Sequence, residues 1–114
     1  MMNVVPFQHN TKRTRFERLE LQALLGLYGQ MVTRGIWKDY AINMMGVEAS
    51  FAVYRKFGEA PQFTIFKNTK LASRQGTWAL LNQQGLVLKR SKEFTTILDH
   101  LRKQGERLDK KRRS

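Results

Sequence analysis

The residues of this chain whose chemistry is most evident are its cations. The sequence holds 21 Lys and Arg against 9 Asp and Glu, a formal net charge of +12 over 114 residues. Lysine and arginine side chains bind phosphates, with an affinity that depends on salt and little on base sequence. The predicted nucleic-acid contacts are Arg15, Arg18, Lys67, Lys70, Arg74, Lys89, Arg90, Lys92, Lys110, Lys111, Arg112 and Arg113.

Groups that could carry out catalysis are scarce. Neither His9 nor His100 has a partner at a spacing useful for acid–base work or metal binding. Asp39 and Glu48 are the best carboxylate pair, but the predicted strand pairing does not oppose them. The sequence contains no cysteine, which excludes a thiolate metal site and a cysteine nucleophile. We therefore expect a protein that is not an enzyme and needs no cofactor or metal.

The elements that must position the cations begin with a helix. Apolar residues at helical spacing over Leu21–Val32 predict it, and Gly35 is expected to end it. Its start has two interpretations. In the first, the run Thr14–Glu17 is a capping box. In the second, a short strand leads into a helix that begins near Glu17. Gly26 and Gly29 are costly inside a helix, and we interpret them as points of close approach to another backbone.

The hydrophobic period then changes to two, which predicts strands. A two-residue turn at Met45 and Gly46 pairs Ile42 with Ala49 in a first hairpin. In a second hairpin, with Gly85 left-handed in a three-residue loop, one face carries Trp78, Leu80, Leu86 and Leu88. The predicted strands are residues 37–44, 47–54, 62–67, 76–81 and 86–90.

A final helix follows, capped by Ser91, and we expect it to fray into solvent beyond Gly105. The predicted organisation is a disordered basic arm at 1–13, a single α+β domain at 14–104 and a basic C-terminal tail at 105–114. The fold class is α+β: a five-stranded antiparallel meander sheet with an N-terminal and a C-terminal helix packed on one face.

Two aromatic residues, Trp37 and Phe66, fall on the face opposite the predicted core. Exposed there, they would be able to stack on the bases of a single strand. Buried under a loop, they would instead belong to a satellite core, which is the commoner position of aromatic residues. No apolar run approaches the length of a membrane span and no export signal is evident, so we expect a cytoplasmic protein without a membrane partner.

Several segments resemble a bacterial family of short proteins, domain-of-unknown-function family 2794. They are the runs Leu25–Val32, Gly35–Ile42, Ala72–Gly76 and Gly85–Arg90. The resemblance extends over about residues 15–101. It implies a bacterial domain, and it brings no activity, cofactor or binding residue.

Two functions follow from these observations. The first is a small accessory protein that binds nucleic acid or a ribonucleoprotein through Lys/Arg–phosphate contacts. The alternative is a protein-interaction or regulatory adaptor, which would meet an acidic protein partner through the first helix or a sheet edge. The sequence does not fix the oligomeric state.

Overall fold

The computed structural model describes residues 13–71 and 76–114. Two helices flank five strands, with one 3₁₀ turn at Thr69–Leu71. The helices are α1 (Arg18–Thr33) and α2 (Phe94–Arg113), and the strands are β1 (Asp39–Asn43), β2 (Ala49–Tyr54), β3 (Phe63–Lys67), β4 (Trp78–Asn82) and β5 (Val87–Ser91). Within these described ranges, neither helix has the length and apolar character that crossing a bilayer requires. The predicted arm lies almost wholly outside the described residues.

The strands form one antiparallel meander in the order β1-β2-β3-β4-β5. Both helices pack on the same face of it, because α1 and α2 contribute to one buried cluster with alternate residues of the strands. Leu24 and Met31 come from α1, Ile97 and Leu101 from α2, and Ile65 lies at the sheet centre. The α+β fold class is therefore confirmed.

Helix α1 begins after Glu17, whose backbone N–H donates to Glu20 Oε1 at 2.8 Å in a capping box. The interpretation in which the helix begins near Glu17 therefore gives the right position, although residues 13–17 form no strand. Gly35 ends the helix with a φ of +73°, a left-handed conformation that glycine adopts without strain.

The first hairpin pairs Ile42 with Phe51 instead of Ala49. The predicted two-residue turn is wrong because residues 44–48 form a longer loop, held by the segment that precedes α1. The Phe16 N–H donates to Met44 Sδ at 3.4 Å, and the Thr14 N–H to the Gly46 carbonyl at 3.4 Å. A shift of two residues keeps every side chain on its predicted face.

The second hairpin contains a bulge that the sequence does not predict. Leu80 pairs with Lys89 and Leu81 with Val87, so Leu88 is an extra residue on β5. Beyond the inserted residue the alternation reverses, so Lys89 also faces the helix side, next to Leu88, which lines a groove with Leu108 of α2. Leu88 thus keeps its predicted face without being buried in the core, and Leu86 precedes β5. Leu86 is 65% exposed. Gly85 has the predicted left-handed conformation, with a φ of +87°.

Helix α2 continues to Arg113, so the predicted fraying beyond Gly105 is wrong. Gly105 is buried against α1 and the chain that follows it: a Cβ built there would stand 2.8 Å from Met31 Cε and 3.0 Å from Trp37 Cζ2. Asp109, one turn further along, is also buried. The last turns of α2 are thus packed against the domain.

Close approach at Gly26 and Gly29 is not found within the described chain, since a Cβ at either would meet nothing within 4 Å. We expect Gly29→Ala to raise the free energy of unfolding by about 1 kcal/mol, because alanine costs less backbone entropy in a helix. Urea unfolding followed by circular dichroism measures this change. A variant less stable than the wild type would contradict the expectation.

Candidate nucleic-acid interface

The fold distributes the predicted cations over two opposite ends of the sheet. At one end lie the start of α1, the β1–β2 and β3–β4 connections and the β5–α2 junction, joined by contacts such as Thr14 Oγ1 to Thr69 Oγ1 at 3.3 Å. We call the exposed cations there the α1-start surface. They are Arg13, Arg15, Arg18, Lys70 and Lys92.

The other end carries the last turns of α2 between two grooves. A groove of about 350 Å³ separates Lys111 and Arg112 from Arg55, in the connection after β2. A second groove, of about 540 Å³, separates Lys110 and Arg113 from Arg34, just after α1. We call the cations of these grooves and their neighbours the α2-end surface. They are Arg34, Arg55, Lys56, Arg107, Lys110, Lys111, Arg112 and Arg113.

Two carboxylates of this surface, those of Glu106 and Asp109, are each shared by two cations, whereas Glu59 pairs with Arg55 alone. Asp109 accepts from Arg112 Nη2 at 2.7 Å and from Arg113 Nε at 3.1 Å. Glu106 accepts from Arg34 Nη1 at 2.6 Å, and its other oxygen lies 3.4 Å from Arg102 Nη1. One negative charge per two cations leaves the surface positive. The buried carboxylate of Asp109 also fixes the directions in which its two guanidinium groups point.

A third shared carboxylate, Asp99, lies further up α2. Lys103 Nζ stands 3.0 Å from one oxygen, and Arg102 donates to the other. The hydrogen bond from Lys103, followed by that from Arg102, holds the pKa of this carboxyl below its ordinary value. The group therefore contributes stability at neutral pH and loses it as the pH falls through the lowered pKa. Neutral pH keeps this carboxylate charged.

Four cations of the α2-end surface have no acidic partner within 4 Å among the described residues. They are Lys56, Arg107, Lys110 and Lys111. The guanidinium group of Arg107 meets the neutral amide of Gln104, at 3.0 Å. Basic side chains at the C-terminal end of a helix are favoured by the helix dipole, which stabilises the helix that presents them.

The family model described as "Protein of unknown function (DUF2794)" matches residues 14–98. The chain belongs to this family. No curated protein matches the chain, and no solved structure matches it. The match extends from the segment before α1 into the second turn of α2. In this DUF2794 protein, the α1-start surface lies almost wholly inside the matched region, and most of the α2-end surface lies beyond it.

Lys67 is not on either surface of this DUF2794 protein. Its position at the end of β3 puts it on the core face, where its Nζ donates to Glu20 Oε1 at 2.7 Å and to the Arg15 carbonyl at 2.8 Å. The ammonium group also lies 5.4 Å from the centroid of the Trp78 ring. Its predicted phosphate contact is wrong, because the side chain is 7% exposed and holds the start of α1 on the sheet.

The remaining predicted residues lie apart from both ends or outside the described structure. Arg90 is exposed on the side of the sheet that the helices do not cover, and Lys89 points to the helix side of the edge strand β5. Arg74 falls outside the described residues. Trp37 is buried, with its Nε1 donating to Gln62 Oε1 at 2.9 Å, so the buried one of its two interpretations is correct. Phe66 is half-buried on the uncovered side.

Sequence reasoning missed the cations that join the end of α2 from distant parts of the chain. They are Arg34, Arg55 and Lys56. The spacing of Asp109 to Arg112 and Arg113 was a usable signal, since acid–base pairs three and four residues apart support a continuous helix. Among the described residues, no three His, Asp or Glu side chains lie close enough to hold a metal ion.

Proposed function

We propose that this protein binds nucleic acid, free or in a ribonucleoprotein, through Lys/Arg–phosphate contacts on the α2-end surface, as an accessory protein rather than an enzyme. The observation that carries the proposal is the sharing of carboxylates there: Glu106 and Asp109 each serve two cations. Unshared lysines and Arg107 add to the resulting positive potential. A surface of this kind attracts the phosphate backbone with little regard to base sequence.

The α1-start surface supports the function less well. Its cations stand among three carboxylates, those of Glu17, Glu48 and Glu93, that form no ion pair within the described chain. An approaching phosphate would be repelled by these unpaired acids. At the end of α2, Glu59, Glu106 and Asp109 are instead engaged by guanidinium groups, and among the described acids there Asp39 is the one without an ion pair. We therefore place the phosphate contacts at the end of α2.

Binding to a fluorescein-labelled 20-nucleotide RNA strand, and to DNA and duplex forms of the same length, tests the proposal by fluorescence anisotropy. Four phosphate contacts predict a slope of log K against log salt of about −3 to −4, and a loss of roughly 100-fold between 50 and 200 mM salt. The double variant Lys110→Glu/Lys111→Glu is expected to weaken binding at least tenfold and to make the slope shallower.

The matched control is Arg13→Glu/Arg15→Glu, which makes the same change in charge on the α1-start surface. It is expected to weaken binding much less, because only the long-range attraction is reduced. The absence of binding at 50 mM salt would refute the proposed function. Equal losses from the two double variants would refute the assignment to α2.

One observation favours the alternative function, an adaptor that docks a protein on the first helix. A groove of about 440 Å³ runs between α1 and α2, with Gly26, Leu27 and Leu98 among its lining residues. Grooves between helices accept the apolar face of a partner helix. Affinity capture from nuclease-treated lysate distinguishes the two functions, since an adaptor keeps its partner when nucleic acid is digested.

A further inference from the structure

The five-stranded sheet has one face on which no described helix lies. We call it the outer face, and it consists of the strand residues that alternate with the core positions. Three larger apolar side chains stand on it: Phe66 and Leu81 are half-buried, and Val87 is 46% exposed. Small residues, such as Ala52 and Ala79, lie between them. Tyr54 and the neutral polar residues Asn43, Ser50 and Thr64 share this face with them. A sheet face with such a row of apolar side chains normally packs against another layer.

The outer face differs from the rest of the protein in its charge. Of the residues that the described strands place on it, Asp39 and Arg90 are charged, and their charges cancel. A nucleic-acid backbone would find a single cation here, so the phosphate chemistry of the proposed function does not extend to this face. In a chain of net charge +12, a neutral apolar face is where two copies approach with the least repulsion.

The two charges lie at diagonally opposite corners of the sheet. Asp39 begins the edge strand β1 at one end, and Arg90 is near the close of the edge strand β5 at the other end. When two copies face each other through this side, a two-fold axis can lie between the sheets, parallel to them and perpendicular to the diagonal from Asp39 to Arg90. Rotation about this axis places Arg90 of each copy opposite Asp39 of the partner subunit. The strands then cross at a steep angle, as in orthogonally packed sheets.

We propose that the outer face is the interface of a symmetric dimer, in which a second copy of this chain covers Phe66, Leu81 and Val87. Five strands of five or six residues make a face of about 24 by 17 Å, or about 400 Å² of planar area in each copy. The accessible area of a pleated face exceeds its planar area, which brings the total near the roughly 1,000 Å² that a specific interface needs. We therefore expect a concentration-dependent dimer with a Kd on the order of micromolar.

Sedimentation velocity of the full chain between about 1 and 200 μM tests the proposal. The expected result is a shift from monomer to dimer across this range. Leu81→Lys, which puts a charge among the apolar side chains of the face, should raise the Kd at least tenfold. Lys70→Asp, at the opposite end of the sheet from the α2-end surface and in no strand of the face, should leave the Kd within threefold of the wild type. Thermal melting by circular dichroism verifies that each variant is folded.

A charge exchange tests the predicted pairing itself. Arg90→Asp and Asp39→Arg should each raise the Kd severalfold, because each places like charges together across the interface. The double variant Arg90→Asp/Asp39→Arg restores opposite charges and should return the Kd to within threefold of the wild type. A chain that stays monomeric at 200 μM overturns the dimer. Single and double variants with the same Kd as the wild type overturn the assignment to this face.

The dimer and the proposed function can fail independently of each other. A monomer that binds RNA as predicted leaves the α2-end surface intact and removes only the dimer. A monomer in which Leu81→Lys weakens RNA binding, although the change adds a cation, would assign the outer face to nucleic acid, which also overturns the inference.

Discussion

Replacing Glu20 with alanine is expected to lower the free energy of unfolding by about 3–5 kcal/mol, the cost of leaving a buried charge without its partner. Glu20 Oε1 lies 2.7 Å from Lys67 Nζ and also accepts the Glu17 N–H at 2.8 Å. The alanine variant removes both contacts, so a buried ammonium group keeps only the Arg15 carbonyl, and α1 loses its capping box. Chemical denaturation at pH 7 measures the change.

A second substitution separates the charge from the cap. Lys67→Met removes the ammonium group and keeps most of the volume of the side chain. The double variant Glu20→Ala/Lys67→Met should therefore recover most of the lost stability and retain only the cap penalty of about 1 kcal/mol. If the double variant is as unstable as Glu20→Ala alone, the ion pair is not the source of the loss.

Replacing Gly105 with leucine is expected to destabilise the fold by about 3 kcal/mol, at the upper end of the cost of overpacking a core. The first carbon of any side chain at this position stands 2.8 Å from Met31 Cε and 3.0 Å from the Trp37 ring. Met31 is flexible, but the Trp37 ring is held by its 2.9 Å hydrogen bond to Gln62. Helix α2 must therefore move away from the sheet. Thermal unfolding should show a Tm lower by roughly 10–15 °C.

Gly29→Leu is the matched control, because Gly29 lies in the other helix and a side chain there meets open space. The same change from glycine to leucine should there stabilise the fold by up to about 1 kcal/mol, because leucine has the higher helix propensity. Two variants of similar stability would show that the contact at Gly105 relaxes without cost.

The periodicity of the sequence was sufficient to predict the helices, the five strands and their meander, because each element buries its own alternating or helical stripe. The alternation of Phe63, Ile65 and Lys67 also indicated that the lysine faces the core. Its charge was nevertheless taken to mean exposure. The burial depends on Glu20, which is 47 residues distant in the chain, and a single sequence contains no signal for such a pairing.

The bulge in β5 was unpredictable for a different reason. Leu86 and Leu88 alternate as core residues do, and nothing in their neighbourhood marks the point where an extra residue enters the ladder. One insertion exchanged the two faces for the rest of the strand and exposed Arg90 on the outer face. The candidate interface at the end of α2 is predictable in part. The charge of the C-terminal segment predicts Lys110 and Lys111 as phosphate contacts, whereas the approach of Arg34 and Arg55 requires the tertiary fold.

The meander has a consequence for how the chain folds. Because every strand pairs with the strand next to it in sequence, building the sheet closes only short loops and so has a low contact order for a β-rich protein. The docking of the segment before α1 joins distant parts of the chain, through the stacking of Phe16 on Trp78 and the ion pair of Glu20 with Lys67. We expect this long-range closure to form after the transition state, so Glu20 variants should speed unfolding more than they slow folding.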